Sequence, residues 1–174
     1  MSNASIFKSR TKKVSGAVQS GIDKALSEFV KTVPAQIKAR TRVGGGLDSD
    51  DAGKLDGRRK QLDKLKNSTK DYRSTYKKNL SGQTTPSKSN LTATGQMLDS
   101  LRGRKRPGNK IRVSPTGNRT RELDGSSSGL SNIEVQKRVE RNGRTFLGLT
   151  TAETNKFRRI ARNIIKKKLA KAFN

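Results

Sequence analysis

An excess of positive charge limits what this chain can fold into. Its 174 residues include 40 Lys and Arg but only 14 Asp and Glu, which gives a formal net charge of +26. Like charges at this density repel one another and oppose compaction unless anions or acidic neighbours neutralise them. Nucleic acid and an acidic protein surface would both do so. Solubility alone needs a net charge of only about 2–8 in magnitude, so we interpret the excess as a sign of a polyanionic partner.

Apolar residues are few for a chain of this length. They make up 29% of it, and aromatic residues 4%, whereas a soluble domain is about 45–50% apolar. Fixing the backbone costs about 1–2 kcal/mol per residue, and burial returns only about 25 cal/mol per Å² of apolar surface. We therefore predict one small domain with extended arms, marginal as a monomer and stabilised by association with other copies.

Several classes of site and protein are disfavoured by composition. The chain has no Cys and no His, so it offers no disulfide framework, no thiolate zinc site, no imidazole ligand and no His-activated nucleophile. No apolar run approaches the ~20 residues of a membrane span, and the N-terminus lacks the apolar stretch of a signal peptide. We expect a cytoplasm-like compartment or a particle, and no membrane partner.

The acidic and glycine-rich segments do not match known catalytic or metal-binding loops. Asp48, Asp50 and Asp51 form the densest acidic cluster, but the fifth and twelfth positions of a calcium loop starting there are Ala52 and Arg59. A solvated acidic loop that pairs with nearby Lys and Arg is the interpretation we adopt. The glycines at 44–46 precede Leu-Asp-Ser and not the Gly-Lys-Ser/Thr of a P-loop. Ser-Lys or carboxylate chemistry stays formally possible, although no spacing points to it; we predict no enzyme, no cofactor and no metal.

Hydrophobic periodicity predicts a long amphipathic helix near each end of the chain. After a flexible basic arm at residues 1–13, apolar residues recur at three- and four-residue spacing from Val14 to Val33. Pro34 either kinks this helix or ends its first part. Thr150 and Glu153 form a capping box that opens a helix towards the C-terminus. Residues 14–174 would form a single domain with a polar insertion around residues 44–90.

Shorter elements are predicted between these helices. Ser68 followed by Asp71 indicates a helix start, and Thr94 is placed to cap a short helix that carries Leu98 and Leu101 inward.

Two strands and a further helix follow the short helix. The segments Lys110–Ser114 and Arg119–Leu123 read as two strands on either side of a turn at residues 116–118. A helix from Ile133 to Arg141 would end at Asn142-Gly143.

Basic residues unaccompanied by acidic ones are concentrated in Arg102–Arg112 and after Glu153. Such charge facing a polyanion releases counterions and gives salt-sensitive binding. Aromatic residues are not interleaved with it, and no DNA-reading motif is visible, so contact would be with phosphates and would carry no sequence information. The candidate contacts with DNA or an acidic partner are Arg102, Arg104, Lys105, Arg106, Lys110, Arg162, Lys166 and Lys167.

Two segments, in this order, resemble a family of tailed-phage virion-morphogenesis proteins, the tail-completion and neck proteins. The segment LTATGQMLDSL at 91–101 is similar to the family's Leu-x-x-Thr-Gly-x-(Met)-Leu-x-Ser-Leu/Ile stretch. The segment GRTFLGLT at 143–150 resembles its Gly-Arg-x-Phe-Leu-Gly-Leu-Ser/Thr stretch. The Trp-containing stretch of some members and their Tyr-Ala…Gly strand end are absent from this chain.

The resemblance implies an α+β fold in which a long helix and a C-terminal helix pack on a small antiparallel sheet. It also implies a ring of copies, with a hexamer favoured over a dodecamer, that joins portal side to tail around the DNA channel. The partners would be other copies, portal or adaptor proteins, tail proteins and DNA phosphates. The location would be the neck or tail junction of the virion, after assembly in the host cytoplasm.

The family's motif positions would serve an architectural role in this chain. They are Thr94, Gly95, Leu98, Leu101, Gly143, Arg144, Phe146, Leu147 and Leu149. An alternative function rests on charge alone: a sequence-independent nucleic-acid-binding structural protein of ribonucleoprotein or chromatin type.

Overall fold

The structure is a computed structural model that describes residues 3–48, 56–62, 95–120 and 129–173. The fold is α+β, as predicted, with long helices at both ends and two small antiparallel β-sheets. In chain order the elements are α1 (Asn3–Arg42), β1 (Gly45–Leu47), β2 (Arg59–Gln61), α2 (Gln96–Asp99), β3 (Arg102–Arg106), β4 (Lys110–Ser114), α3 (Asn132–Arg141) and α4 (Thr151–Phe173).

Helix α1 has 40 residues, a length of about 60 Å at 1.5 Å per residue. It continues through the buried Pro34, so this proline does not end it. Residues 3–13 of the predicted basic arm form the first turns of α1. Residues 3–13 contain neither Pro nor Gly to interrupt a helix.

Helices α1 and α4 pack against each other in antiparallel directions. The Phe29 and Phe157 rings meet edge to face, with centroids 5.1 Å apart. One end of the contact depends on Gly21, where an added Cβ would lie 2.9 Å from Ile165 Cγ1. Helix α4 ends at Phe173, only eight residues after Ile165, whereas α1 begins at Asn3, well before Gly21. The first turns of α1 therefore extend beyond the end of α4.

Strands β3 and β4 form a hairpin that lies along the other side of the first helix. Their register pairs Gly103 with Val113. The backbone comes so close to α1 at Gly103 that a Cβ there would be 2.3 Å from the Val30 carbonyl oxygen. The Lys105 ammonium donates to the Asp23 carbonyl oxygen at 3.1 Å.

The hairpin corrects the predicted strand pairing. Lys110–Ser114 is a strand as predicted, but its partner is the basic run Arg102–Arg106, and the turn lies at residues 107–109. Arg119 and Thr120 belong to no strand, and the rest of the predicted second strand lies outside the described residues. A basic run followed by Pro-Gly has no apolar alternation that predicts a strand, and in the structure it pairs with Lys110–Ser114 and packs against α1.

The hydrophobic core lies where α1, α2, α4 and the loop before α4 meet. Its buried residues are Val33, Ile37, Met97, Leu98, Leu101, Phe146, Leu149 and Phe157. Val113 of β4 and Val135 and Val139 of α3 pack against it. Both motif segments therefore contribute to one core.

The polar insertion around residues 44–90 is anchored at its described edges. Strands β1 and β2 pair antiparallel, with Gly46 opposite Lys60. The Leu47 amide donates to the Thr145 carbonyl oxygen at 2.9 Å, which ties β1 to the loop before α4. The helix predicted to start at Ser68 lies outside the described residues.

The short helices match the predictions in position but not in every cap. Thr94 lies outside the described residues, and the N-cap of α2 is Gly95, in a left-handed conformation (φ 77°) and without a side-chain cap. Helix α3 is confirmed, and Ser131 and Glu134 form a capping box at its start.

A half-buried carboxyl on α3 leads to a pH-dependent prediction. Gln136 Nε2 donates to Glu140 Oε2, while Oε1 is buried without a partner among the described residues. Burial raises the pKa of Glu140 above its ordinary 4.5, and hydrogen bonds from Gln136 and the Leu147 backbone only partly oppose this. The folded state therefore binds this proton more tightly than the unfolded state does.

We expect Glu140→Gln to increase stability at neutral pH. Because the folded pKa is raised, the Glu140 contribution falls as pH rises from the unfolded pKa through the folded one. The glutamine variant lacks this fall, so its advantage grows over that window. Chemical denaturation at several pH values measures it, with the exposed Glu28→Gln as a control that removes the same charge. A gain in Glu140→Gln no larger than that in Glu28→Gln would show that burial of the Glu140 carboxyl is not the cause.

Candidate polyanion-binding surface

The β3–β4 hairpin separates its side chains into two faces. Successive side chains of a strand point to opposite sides. Gly103, Lys105 and Val113 are on the side of α1. The opposite side carries the residues that we call the cationic face: Arg102, Arg104, Arg106, Lys110 and Arg112.

The cationic face brings like charges directly opposite each other. Arg104 pairs in register with Arg112, and Arg106 with Lys110. Cβ atoms of such cross-strand pairs are about 4.5–5.5 Å apart, and like charges there destabilise a sheet. Within the described part of the chain, the side chains of Arg104, Arg106 and Arg112 have no hydrogen bond or ion pair. Contacts on the α1 side hold the hairpin against this repulsion.

A groove of about 330 Å³ separates the cationic face from the N-terminal end of α3. Three guanidinium groups line it, and the hydroxyl-bearing residues beside them are Ser114 and Thr116. The three arginines are Arg104, Arg106 and Arg112, and the remaining lining residues are Pro115, Gly117 and Ile133. The groove thus combines fixed positive charge with hydrogen-bond donors.

Positive charge also accumulates at the base of the hairpin. Lys38 Nζ donates to the Asp99 carbonyl oxygen at 3.0 Å, Arg102 donates to the same oxygen at 2.7 Å, and Arg42 pairs with the Asp99 carboxylate. Burial lowers the pKa of Lys38, and Arg102 adds to that shift. All three cations contact Asp99, but only Arg42 pairs with its carboxylate, so this cluster extends the cationic face with further surplus charge.

Helix α4 carries a second basic surface. Arg159, Arg162, Lys166 and Lys167 are exposed on it. Arg158 is paired with Asp56 at 3.2 Å. This surface belongs to a different element from the hairpin, and both elements pack on α1.

The candidate contacts predicted from sequence are exposed, but they do not form one group. Arg102, Arg104, Arg106 and Lys110 share the cationic face, whereas Lys105 is on the α1 side of the hairpin. Arg162, Lys166 and Lys167 lie on α4. Arg112 was missed as a contact; its two-residue spacing from Lys110, like that of Arg102, Arg104 and Arg106, is the signal that could have found it.

The motif positions hold the last helix in place. Phe146 and Leu149 are buried, and Leu147 packs at the edge of the core. Gly143 has φ 72°, and the Arg144 amide donates to the Val139 carbonyl oxygen at 3.2 Å. The chain therefore leaves α3 through a tight turn and enters the core directly.

A buried ion pair holds this segment in place. It was not predicted from the sequence. Arg40 of α1 pairs with Glu153 of α4, and Arg40 Nη2 donates to the carbonyl oxygens of Phe146 at 2.6 Å and Gly148 at 3.2 Å. The predicted capping box is confirmed: the Thr150 amide donates to the Glu153 carboxylate and the Glu153 amide to the Thr150 hydroxyl. Glu153 thus caps α4 and neutralises Arg40 at once.

The described residues also bear on membrane insertion, metal binding and the acidic cluster at Asp48. No helix in the described part of the chain is long and apolar enough to cross a bilayer. Over the same residues, no group of three or more potential metal-binding side chains occurs. Asp48 pairs with Arg58 at 3.2 Å, as expected for a solvated acidic loop, while Asp50 and Asp51 lie outside the described ranges.

Comparison of the chain with protein-family models, curated proteins and solved structures finds no match.

Proposed function

We propose that this chain is a structural protein of a tailed-phage virion, a ring-forming neck or tail-completion component that joins the portal side to the tail. It acts by assembly and performs no catalysis. Its partners are other copies of itself, portal or adaptor proteins, tail proteins and the DNA that passes through or near the ring.

The observation that carries this proposal is the packing of the two family-like segments into one core. Leu98 and Leu101 from the first segment pack with Phe146 and Leu149 from the second. The flanking elements are a long N-terminal and a long C-terminal helix with small antiparallel sheets, the fold that the resemblance implies. Their shared place in the core supports an architectural role for both segments.

The assembly itself is the direct test of this function. We expect the purified protein to form a closed ring, six-fold in preference to twelve-fold, in electron micrographs and by native mass measurement. Antibody labelling should place it at the neck of particles of the phage that encodes it. A stable monomer that is missing from particles would overturn the proposal.

A second candidate function is sequence-independent nucleic-acid binding outside a virion. The unpaired guanidinium groups of the cationic face favour it. It predicts a monomer that binds DNA or RNA tightly at low salt with no ring, whereas a neck protein would bind free DNA weakly and gain affinity on assembly.

A further inference from the structure

We infer that the β3–β4 hairpin, and not α4, is the surface that meets DNA, and that its groove beside α3 binds backbone phosphates of the duplex. This inference deepens the proposed function and rests on it for the biological setting. The cationic face defines the site itself.

The first support is the unusual electrostatics of the hairpin. Two like-charge pairs, Arg104 with Arg112 and Arg106 with Lys110, oppose the strand pairing that holds them. The exposed basic residues of α4 lie along a single helix, and one of them, Arg158, is paired with Asp56. Bound anions would remove a repulsion that the hairpin builds in between directly opposite side chains, whereas like-charged neighbours on α4, such as Arg162 and Lys166, lie one helical turn apart.

The second support is the spacing of the charges. Side chains on one face of a strand recur every two residues, about 6.6–6.8 Å apart. The phosphates of one DNA strand advance about 3.4 Å along the helix axis per nucleotide while turning around that axis, so a straight row of arginines meets neighbouring phosphates where it follows the sugar–phosphate backbone. Arg102, Arg104 and Arg106 form such a row, and the major groove is wide enough to admit a two-stranded ribbon.

The third support distinguishes DNA from an acidic protein. The outward side of the hairpin carries five basic residues and Ser114, and no apolar side chain. Protein–protein interfaces lose charged residues at their centre and gain aromatic ones, whereas protein–DNA interfaces are more polar and strongly basic. Guanidinium groups with hydroxyls nearby also suit phosphate oxygens, which accept paired N–H donors.

The salt dependence of binding to a mixed-sequence DNA duplex tests the site. We compare the full chain with the double variant Arg104→Gln/Arg112→Gln between about 50 and 200 mM salt. The slope of log K against log salt should decrease in magnitude by about 2, since each phosphate contact contributes about 1. The matched control is Arg159→Gln/Arg162→Gln, which removes two exposed charges from α4 and should change the slope by less than about 1.

Two outcomes would overturn the site. One is an equal change of slope in the hairpin variant and the α4 control, which would mean that net charge alone attracts DNA. The other is polyglutamate binding that equals DNA binding at the same salt and is lost in the same hairpin variant. That result would replace the phosphate site by a docking surface for acidic protein.

A charge reversal gives an independent check. In Arg112→Glu, Arg104 faces a carboxylate across the hairpin, so the melting temperature should rise while DNA affinity falls by about tenfold or more. A fall in both quantities would count against the inference, because the affinity loss would then follow from damage to the hairpin.

Failure of this inference and failure of the proposed function are separable. Rings at the phage neck together with DNA binding that ignores the hairpin would leave the function standing and remove the site. Hairpin-dependent DNA binding by a monomer absent from particles would leave the site standing and remove the neck function.

Discussion

Replacing Arg40 by alanine is expected to cost about 3–5 kcal/mol of folding free energy, the range for breaking a buried ion pair by removing one partner. The side chains of Arg40 and Glu153 are 4% and 9% exposed. The variant leaves the Glu153 carboxylate without its counter-charge and removes the donor to the Phe146 and Gly148 carbonyl oxygens. Since domains are stable by only about 5–15 kcal/mol, the variant should lose a large fraction of its folding free energy.

Urea denaturation followed by circular dichroism measures this loss. The control is Arg158→Ala, which breaks the exposed pair with Asp56, whose side chains are 54% and 50% exposed; it should cost less than about 1 kcal/mol. Replacing both buried partners, as Arg40→Met with Glu153→Leu, should recover part of the loss because no isolated charge remains buried. Similar losses for Arg40→Ala and Arg158→Ala would show that the buried Arg40–Glu153 pair contributes little to the free energy of folding.

The second large effect is expected for Phe146→Ala. Phe146 is fully buried at the centre of the core, and removing a buried Phe side chain costs about 3–5 kcal/mol. The matched control is Phe173→Ala at the end of α4, where 61% of the residue is exposed; that change should lie within about 0.5 kcal/mol. Thermal unfolding of both variants provides the measurement.

The Phe146 variant also tests the architectural role of the second family-like segment. Any loss of assembly or DNA binding should follow the loss of folding and recover in Phe146→Leu, which keeps most of the buried volume. A Phe146→Ala protein that is folded and stable but no longer assembles would contradict that role and make Phe146 part of an interface.

The buried Arg40–Glu153 ion pair and the cationic face use charge in two different ways. Arg40 is buried and neutralised, and it joins α1 to α4 and to the loop between α3 and α4. Arg104 and Arg112 are exposed, unpaired and opposed to each other, so they weaken the hairpin that carries them. We interpret the first as a contribution to stability and the second as a cost accepted for binding an anion.

The parts of the fold that follow from local sequence could be predicted. The apolar stripe of α1 from Val14 onward, α3 at Ile133–Arg141 and the Thr150–Glu153 capping box are set by residues within a few positions of one another. Hydrophobic periodicity and capping act over that range. Fold class followed from the same signals together with the resemblance.

The features missed from sequence depend on residues far apart in the chain. The Arg102–Arg106 segment has no apolar alternation and becomes a strand because Gly103 fits against the α1 backbone near Val30. The division of the basic run into an outward face and an inward Lys105 follows from that contact. A strand register cannot be read from charges that occur on both faces.

The sequence by itself determined that this protein is strongly basic, has few apolar residues and begins and ends its domain with long helices, because composition and short-range periodicity are properties of the chain alone. Only the tertiary structure decided where the charge is displayed. It joined Arg40 to Glu153 across 113 positions of sequence and turned a basic run into one cationic face. Both outcomes depend on which surfaces are buried together, and that is settled when α1, the hairpin and α4 pack around the shared core.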